Sequence, residues 1–107
     1  MRLQLDQMVD VLKAVAEPSR LRILALLSKG DLTVADLTTI LGQSQPRVSR
    51  HLKLLGEADL IDRYQEGAWA YFRLSDNAVC GEVARNLLSK LDGADTLLER
   101  DMERLSQ

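Results

Sequence analysis

The chain has 107 residues, which is the length of one domain and too short for two independent hydrophobic cores. Its formal net charge of -2 gives no overall attraction to nucleic acid, so any affinity for DNA must come from a local basic patch. Its single cysteine, Cys80, excludes an intrachain disulfide, and no apolar run approaches the length of a membrane span. We therefore expect one cytoplasmic domain over residues 1–107.

Two helices are predicted before residue 30. Apolar residues between Leu5 and Ala16 recur every three or four positions, which is typical of an amphipathic helix. Glu17-Pro18 interrupts this pattern, because proline suits the first turn of a helix and disfavours helix in the residue before it. A second helix is expected to start there and to end at Lys29-Gly30, where glycine suits a left-handed cap.

The third helix has the clearest start signal and is followed by a short turn. Thr33-Val34-Ala35-Asp36 resembles a capping box, with Leu32 and Leu37 placed as a hydrophobic staple around it. Gly42-Gln43-Ser44 then leaves only a few residues before the next helix. This connection length is typical of a helix-turn-helix motif.

The fourth helix combines basic side chains with a complete lack of carboxylates between Gly42 and Gly56. Its apolar residues recur at spacings of four and three, so they form one docked face: Val48, Leu52 and Leu55. The opposite face carries glutamine, serine and arginine, the side chains that contact base edges and phosphates from a helix in the major groove. A solvated surface helix normally mixes both signs of charge, so we favour DNA binding.

A β-hairpin is predicted after the fourth helix. Leu60 to Gln65 and Trp69 to Leu74 are rich in strand-forming residues, and Glu66-Gly67-Ala68 predicts the turn between them. The second strand alternates, with three apolar residues toward the domain and three on the far side: Ala70, Phe72 and Leu74, then Trp69, Tyr71 and Arg73. We expect the far-side aromatic residues to pack against Arg63 and Gln65.

Two more helices are predicted at the end of the chain. Ser75-Asp76-Asn77 suits a helix start, and Asp92-Gly93 suits its end. Between them, apolar residues recur every four positions: Val79, Val83, Leu87 and Leu91. Thr96-Leu97-Leu98-Glu99 is a second capping-box pattern, which predicts a short amphipathic helix. Its charged residues are expected on the outside: Glu99, Arg100, Asp101, Glu103 and Arg104.

Two segments together resemble the ArsR-type (ArsR/SmtB) winged-helix transcriptional repressors: Leu12-Lys-Ala-Val-Ala-Glu-Pro-Ser-Arg-Leu-Arg-Ile-Leu24 and Gln45-Pro-Arg-Val-Ser-Arg-His-Leu-Lys-Leu-Leu55. The likeness extends from about Leu12 to Leu74. It implies a winged helix-turn-helix fold, mainly α with a small β-hairpin, in the order α-α-α-α-β-β-α; the possible short C-terminal helix is predicted by the capping-box pattern alone. It also implies that the fourth helix enters the major groove and that the chain dimerises through helices at about 5–16 and 78–91.

The candidate site residues follow from the basic face and from this resemblance. Contacts to double-stranded DNA with an inverted-repeat operator are expected from Gln43, Ser44, Gln45, Arg47, Ser49, Arg50, His51, Lys53, Arg63, Gln65 and Gly67. For His51, a DNA contact and a partly buried packing role are evenly balanced. Contacts to the second copy of a homodimer are expected from Leu5, Met8, Leu12, Val79, Val83, Leu87 and Leu91.

No metal site or cofactor is expected. Many members of the resembled family bind metals through Cys-Val-Cys in the third helix, where this chain has Thr33 and Ala35. Another family site uses aspartate and histidine on the last helix, but the single histidine here is His51. Cys80 is expected to be a small apolar residue rather than a redox sensor. Without a phosphate loop or a nucleophile-base pair, we expect a protein that is not an enzyme.

The alternative function is a dimerisation or docking module without DNA binding. The sequence looks closest to the N-terminal module of longer chains in which this winged helix precedes an S-adenosylmethionine-dependent methyltransferase domain. A docking module has no reason to keep Arg47, Arg50 and Lys53 clear of carboxylates, whereas a DNA-binding protein does. The basic face therefore favours a regulator, with a small-molecule effector left open.

Overall fold

The computed structural model describes residues 2–107, and its elements follow each other in the predicted order. Four helices come first: α1 (Leu5–Val15), α2 (Pro18–Leu27), α3 (Val34–Leu41) and α4 (Gln45–Glu57). A hairpin and two further helices follow: β1 (Ile61–Glu66), β2 (Trp69–Leu74), α5 (Ala78–Leu88) and α6 (Thr96–Leu105). The predicted fold class, mainly α with a small β wing, is confirmed.

Helices α1 through α5 and the hairpin share one mainly aliphatic core. Its largest fully buried apolar side chains come from four helices and from Leu60, just before the hairpin: Val11, Ile23, Leu24, Leu26, Leu37, Val48, Leu55 and Leu60. Full burial of such a side chain stabilises the fold by about 1.5–3 kcal/mol. The core therefore fixes α4 by the apolar face that its sequence predicts.

Side-chain caps explain where α2 and α3 begin and how α3 ends. The Glu17 carboxylate accepts a hydrogen bond from the Arg20 amide at 2.9 Å at the start of α2. The predicted capping box of α3 is present, with Thr33 and Asp36 each accepting a bond from the other's amide at 3.1 and 3.0 Å. Gly42 ends α3 with a φ of 67°, a left-handed conformation that glycine adopts without steric cost.

Two predicted helix ends are wrong. α2 ends at Leu27 instead of Lys29-Gly30. Gly30 does not adopt the left-handed conformation predicted for it; among the described helix ends, only Gly42 does. α5 ends at Leu88, so Leu91 lies beyond the helix rather than on its stripe. In both helices the chain closes with bonds from an amide to the carbonyl three residues earlier, which tighten the last turn without a left-handed residue.

The hairpin register differs by one residue from the prediction. The turn contains two residues, Gly67-Ala68, rather than three, and Gly67 has a φ of 60° as the first position of a type II′ turn requires. A one-residue shift changes every cross-strand partner. Tyr71 therefore stacks on Tyr64, with ring centroids 5.6 Å apart, and not on Arg63 or Gln65.

The wing is tied to the loop between α2 and α3. Leu32 and Phe72 exchange two backbone hydrogen bonds, of 3.1 and 2.8 Å, which extend the hairpin by a bridge. The Tyr64 hydroxyl donates to the Asp31 carboxylate at 2.6 Å, and this bond raises the pKa of Tyr64 to about 12. The sequence pattern did not indicate these links, which hold the wing at a fixed place beside α3.

The outer face predicted for α6 is wrong at two of its five charged residues. Asp101 is fully buried, and its two carboxylate oxygens accept bonds of 2.8 Å from Nε and Nη2 of Arg22. Arg104 donates to the Ile40 carbonyl at 2.8 Å, at the end of α3. The helix is capped by Asp95 rather than by Thr96, so it starts one residue earlier than the capping-box pattern indicates. α6 consequently packs against α2 and α3.

We predict that Asp101→Ala lowers the free energy of unfolding by about 3 kcal/mol or more, because it leaves the Arg22 guanidinium largely buried without its partner. Urea denaturation measures the change. Glu103→Ala, at an exposed position of the same helix, is the matched control and is expected to change stability by less than about 0.5 kcal/mol. Equal effects of the two substitutions would show that the ion pair does not hold α6.

Candidate nucleic-acid interface

The outward face of α4 is basic. Arg47, Ser49, Arg50 and Lys53 are exposed, on the side of the helix opposite its buried stripe. Within residues 2–107, none of these three cations is within 4.0 Å of a carboxylate oxygen. Their charge is therefore not neutralised by the protein and remains available to an anionic partner.

The N-terminal end of α4 adds polar groups to this face. Ser44 precedes the helix without capping it through its side chain, and Gln45 follows as the first helical residue. Both residues are exposed. The free amides and the dipole at a helix N-terminus attract phosphate oxygens, so the position of these residues suits a nucleic-acid backbone.

Gln43 points into the protein instead of toward solvent. Its Nε2 donates to the hydroxyl of the buried Ser19 at 2.7 Å. Its Oε1 is also buried, and no partner for it lies within residues 2–107. The side chain connects the turn of the helix-turn-helix to α2, which favours positioning of that turn over the predicted DNA contact.

His51 lies at the boundary between the buried stripe and the basic face. Its side chain is 15% exposed, and Nδ1 lies 3.4 Å from Nη1 of Arg20 and 3.8 Å from Oε2 of Glu17. Burial lowers the pKa of His51; Glu17 opposes this shift, whereas Arg20 and the two arginines of α4 add to it. The ring is consequently neutral at pH 7 and in contact with α2.

The wing places Arg63 beside α4. A groove of about 320 Å³ separates the two elements, and its lining includes Ser49 and Lys53 on one side and Arg63 on the other. Arg63 Nη2 donates a hydrogen bond to Oε1 of Gln65 at 3.5 Å, and Nε2 of Gln65 donates to the Gly67 carbonyl at the wing tip at 3.3 Å. The structure therefore brings Arg63 of the wing and Lys53 of α4 to the same groove.

An apolar stripe is exposed on α1. Leu5 is 83% exposed, Val9 39% and Leu12 47%, while Met8 is half-buried. On α5, the three predicted interface residues are also half-buried: Val79, Val83 and Leu87. The buried residues of α5 lie at neighbouring positions of the helix: Cys80, Gly81 and Ala84. Both helices thus retain apolar surface that the single chain does not cover.

Cys80 is buried, and the third-helix positions compared with the thiolates of the resembled family are Thr33 and Ala35. Cys80 is 4% exposed, and burial together with the charge of Asp59 raises the pKa of its thiol. Thr33 is occupied as the cap of α3, and Ala35 is exposed. In residues 2–107, no three side chains of histidine, cysteine, aspartate or glutamate converge on a common point. None of the described helices is long and apolar enough to cross a membrane.

Comparison with known proteins is consistent with this geometry. Residues 17–63 match the model of a family described as bacterial regulatory protein, arsR family. The arsenical resistance operon repressor of Escherichia coli is 47% identical over 68 residues, which cover 63% of this chain and 58% of that protein. The arsenical resistance operon repressor of Bacillus subtilis is 40% identical over 76 residues, or 70% of this chain and 72% of that one.

A solved structure is also similar. The homodimeric winged helix-turn-helix DNA-binding domain of a Mycobacterium bovis protein superposes with a TM-score of 0.70 at 32% identity. The match covers 79% of each chain. The likeness therefore extends over most of the domain.

We predict that mild acid destabilises the protein through His51, the only histidine of the chain. Its pKa in the folded state lies below the ordinary value of 6.5, so between those two values the unfolded chain binds more protons. The stabilising contribution is fully present above about pH 6.5 and is lost as the pH falls through the folded-state pKa. Urea denaturation between about pH 7.5 and 5.5 should show a smaller decline for His51→Gln than for the wild type.

Glu17 does not interfere with this test. Burial raises the pKa of Glu17, but amide hydrogen bonds from Arg20 and Ser19 and the charge of His51 outweigh burial and lower it from 4.5. Its contribution is therefore lost only at more acid pH than the range used. The same decline in both proteins would rule out His51 as its source.

Proposed function

Because the chain belongs to the arsR family of bacterial regulatory proteins, we propose that it is a sequence-specific transcriptional repressor that binds operator DNA as a homodimer. The observation that carries the proposal is the outward face of α4, where three exposed cations lie without carboxylate partners among the described residues. A protein of net charge -2 gains no general attraction to DNA, so this local face has to supply it.

On DNA, α4 is the helix that lies in the major groove. Gln45, Ser49 and Arg50 are its exposed residues with side chains suited to base edges. Lys53 faces the groove shared with Arg63, and this pair is suited to phosphates of one strand beside the wing. The fixed attachment of the wing to Leu32 supports such two-sided binding, because both sides then approach the duplex at a set distance.

The second copy covers the apolar stripe on α1 and the half-buried stripe on α5. An exposed stripe with Leu5 and Leu12 favours association in a small soluble domain. Two-fold pairing would present two α4 helices to successive major grooves, roughly 34–36 Å apart, and so would require an inverted-repeat operator. The homodimeric state of the similar Mycobacterium bovis domain supports this arrangement.

The signal that releases DNA is not a thiophilic metal bound on α3. Thr33 and Ala35 stand where the resembled metal-sensing members have thiolates, and Thr33 is engaged in its capping box. A small molecule of another class is therefore the proposed effector, in a protein located in the cytoplasm with its operator. Calorimetry that finds one tight zinc or arsenite per protomer would contradict this part of the proposal.

We predict that Arg50→Ala weakens binding to an operator selected from random duplexes by about 1–3 kcal/mol, because it removes a hydrogen-bonding group from a base edge. Lys53→Ala should weaken binding to all duplexes and reduce the salt slope by about 1 for each phosphate that is no longer neutralised. Fluorescence anisotropy across a salt series measures both effects. Arg100→Ala, at an exposed position on α6, is the control.

The same experiment separates this function from the alternative of a docking module for a catalytic domain. A docking module would select no operator, and Arg50→Ala and Lys53→Ala would bind duplexes as poorly as the wild type. Unchanged operator affinity for Arg50→Ala, with a wild type that does bind, would refute the placement of α4 in the groove.

We further predict that the double substitution Leu5→Glu and Leu12→Glu yields a folded monomer that loses operator binding. Both side chains are exposed in the single chain, so their replacement disturbs the interface and not the core. Sedimentation and circular dichroism check mass and fold, and anisotropy checks affinity. The half-buried pair Val83 and Leu87 gives a second test on α5, where some loss of stability is expected as well. A monomer that binds one half-site as tightly as the wild type would refute the coupling of dimerisation to recognition.

A further inference from the structure

Arg20, in the first turn of α2, connects three helices through one guanidinium group. Its Nε donates to the Ala14 carbonyl and its Nη2 to the Lys13 carbonyl, both in the last turn of α1. Carbonyls at a helix end need outside donors, and for Ala14 the residue four positions later is Pro18, which has no N–H. The arginine therefore completes the end of α1.

The third contact of Arg20 reaches the recognition helix. Its Nη1 lies 3.4 Å from Nδ1 of His51 on α4. A guanidinium group can only donate hydrogen bonds, so Nδ1 has to be the unprotonated nitrogen of the ring. The carboxylate oxygen of Glu17, at 3.8 Å from the same nitrogen, is too distant to accept a hydrogen bond from it and already accepts one from the Arg20 amide.

The chemistry of the other ring nitrogen follows from that constraint. A neutral imidazole carries one N–H, and the bond made by one nitrogen decides which of the two it is. If Nδ1 accepts from Arg20, the proton is on Nε2. His51 lies one turn after Arg47, at the edge of the basic face, and part of its side chain is exposed.

We infer that Arg20 is a positioning residue that fixes His51 as the Nε2–H tautomer, and that this N–H donates a hydrogen bond to a DNA phosphate. The phosphate contact rests on the proposed function, whereas the tautomer does not. The charged groups around the ring are Glu17 and Arg20 on α2 and Arg47 and Arg50 on α4. The contact also connects α1, which carries the proposed dimer stripe, to the helix proposed to bind DNA.

The tautomer is tested by nitrogen-15 NMR of the histidine side chain, which gives one set of signals because the chain has one histidine. At about pH 7.5 the wild type is expected to show a protonated Nε2 and an unprotonated Nδ1. In Arg20→Met the Nδ1–H form should increase, because Glu17 is then the nearest polar group. Arg100→Met is the control and should leave the spectrum unchanged. A wild type with the proton on Nδ1 would overturn the inference.

The phosphate contact is tested by operator affinity in four variants. Arg20→Met and His51→Phe should each weaken binding about tenfold, the effect of removing one hydrogen bond to a charged group. His51→Gln places an amide N–H near the position of Nε2–H and should bind nearly as the wild type does. The decisive variant combines Arg20→Met with His51→Gln, because the amide needs no arginine to select its protonation state.

Recovery of affinity in that double variant, relative to Arg20→Met alone, supports the inference. If Arg20 served only to complete α1, the double variant would bind as weakly as Arg20→Met, and the positioning role would be refuted. A wild type that binds no duplex at all would refute the proposed function and the phosphate contact together. The NMR result would still decide the tautomer in that case.

Discussion

The candidate binding surface of this protein depends on the burial of one face of α4. Val48, Leu52 and Leu55 are each no more than 3% exposed, and burial stabilises each by about 1.5–3 kcal/mol. Residues at helical spacing cannot all turn inward, so this burial directs Arg50 and Lys53 outward. Repulsion between like charges one turn apart costs only about 0.2–0.5 kcal/mol, so packing outweighs it and the basic face persists.

Several other cations are used inside the domain. Arg20 and Arg104 each donate to a carbonyl in the last turn of a helix, on α1 and α3 respectively. Arg22 is paired with the buried Asp101. These interactions hold the helices that surround α4. The three arginines therefore serve contacts within the domain. On α4, by contrast, Arg47, Arg50 and Lys53 make no ion pair among residues 2–107 and stay exposed.

Local patterns predicted the helices, but contacts between distant residues did not follow from them. The stripe of α4 and the capping box of α3 are set within a few residues, so periodicity and cap chemistry sufficed. The pair of Arg22 and Asp101 joins residues 79 positions apart, and a charged residue on a short terminal helix looks solvated from its neighbours alone. The hairpin register was missed because composition does not distinguish a two-residue turn from a three-residue turn.

The candidate site was predicted in outline and refined by packing. The exposure of Arg47 and Arg50 followed from the stripe on the other side of their helix. The inward turn of Gln43 depends on a hydrogen bond to Ser19 from another helix, and the contact of His51 with Arg20 depends on the crossing of α2 and α4. Such contacts are set by tertiary geometry.

The role of the basic face is tested most directly by the association constant of the wild type for duplex DNA across about 50–300 mM salt. Four exposed cations per protomer, Arg47, Arg50, Lys53 and Arg63, predict that log K falls with log salt with a slope of roughly -4 to -7 for a dimer. Absent binding, or binding independent of salt, would contradict the claim that a local basic face lets this acidic protein bind DNA.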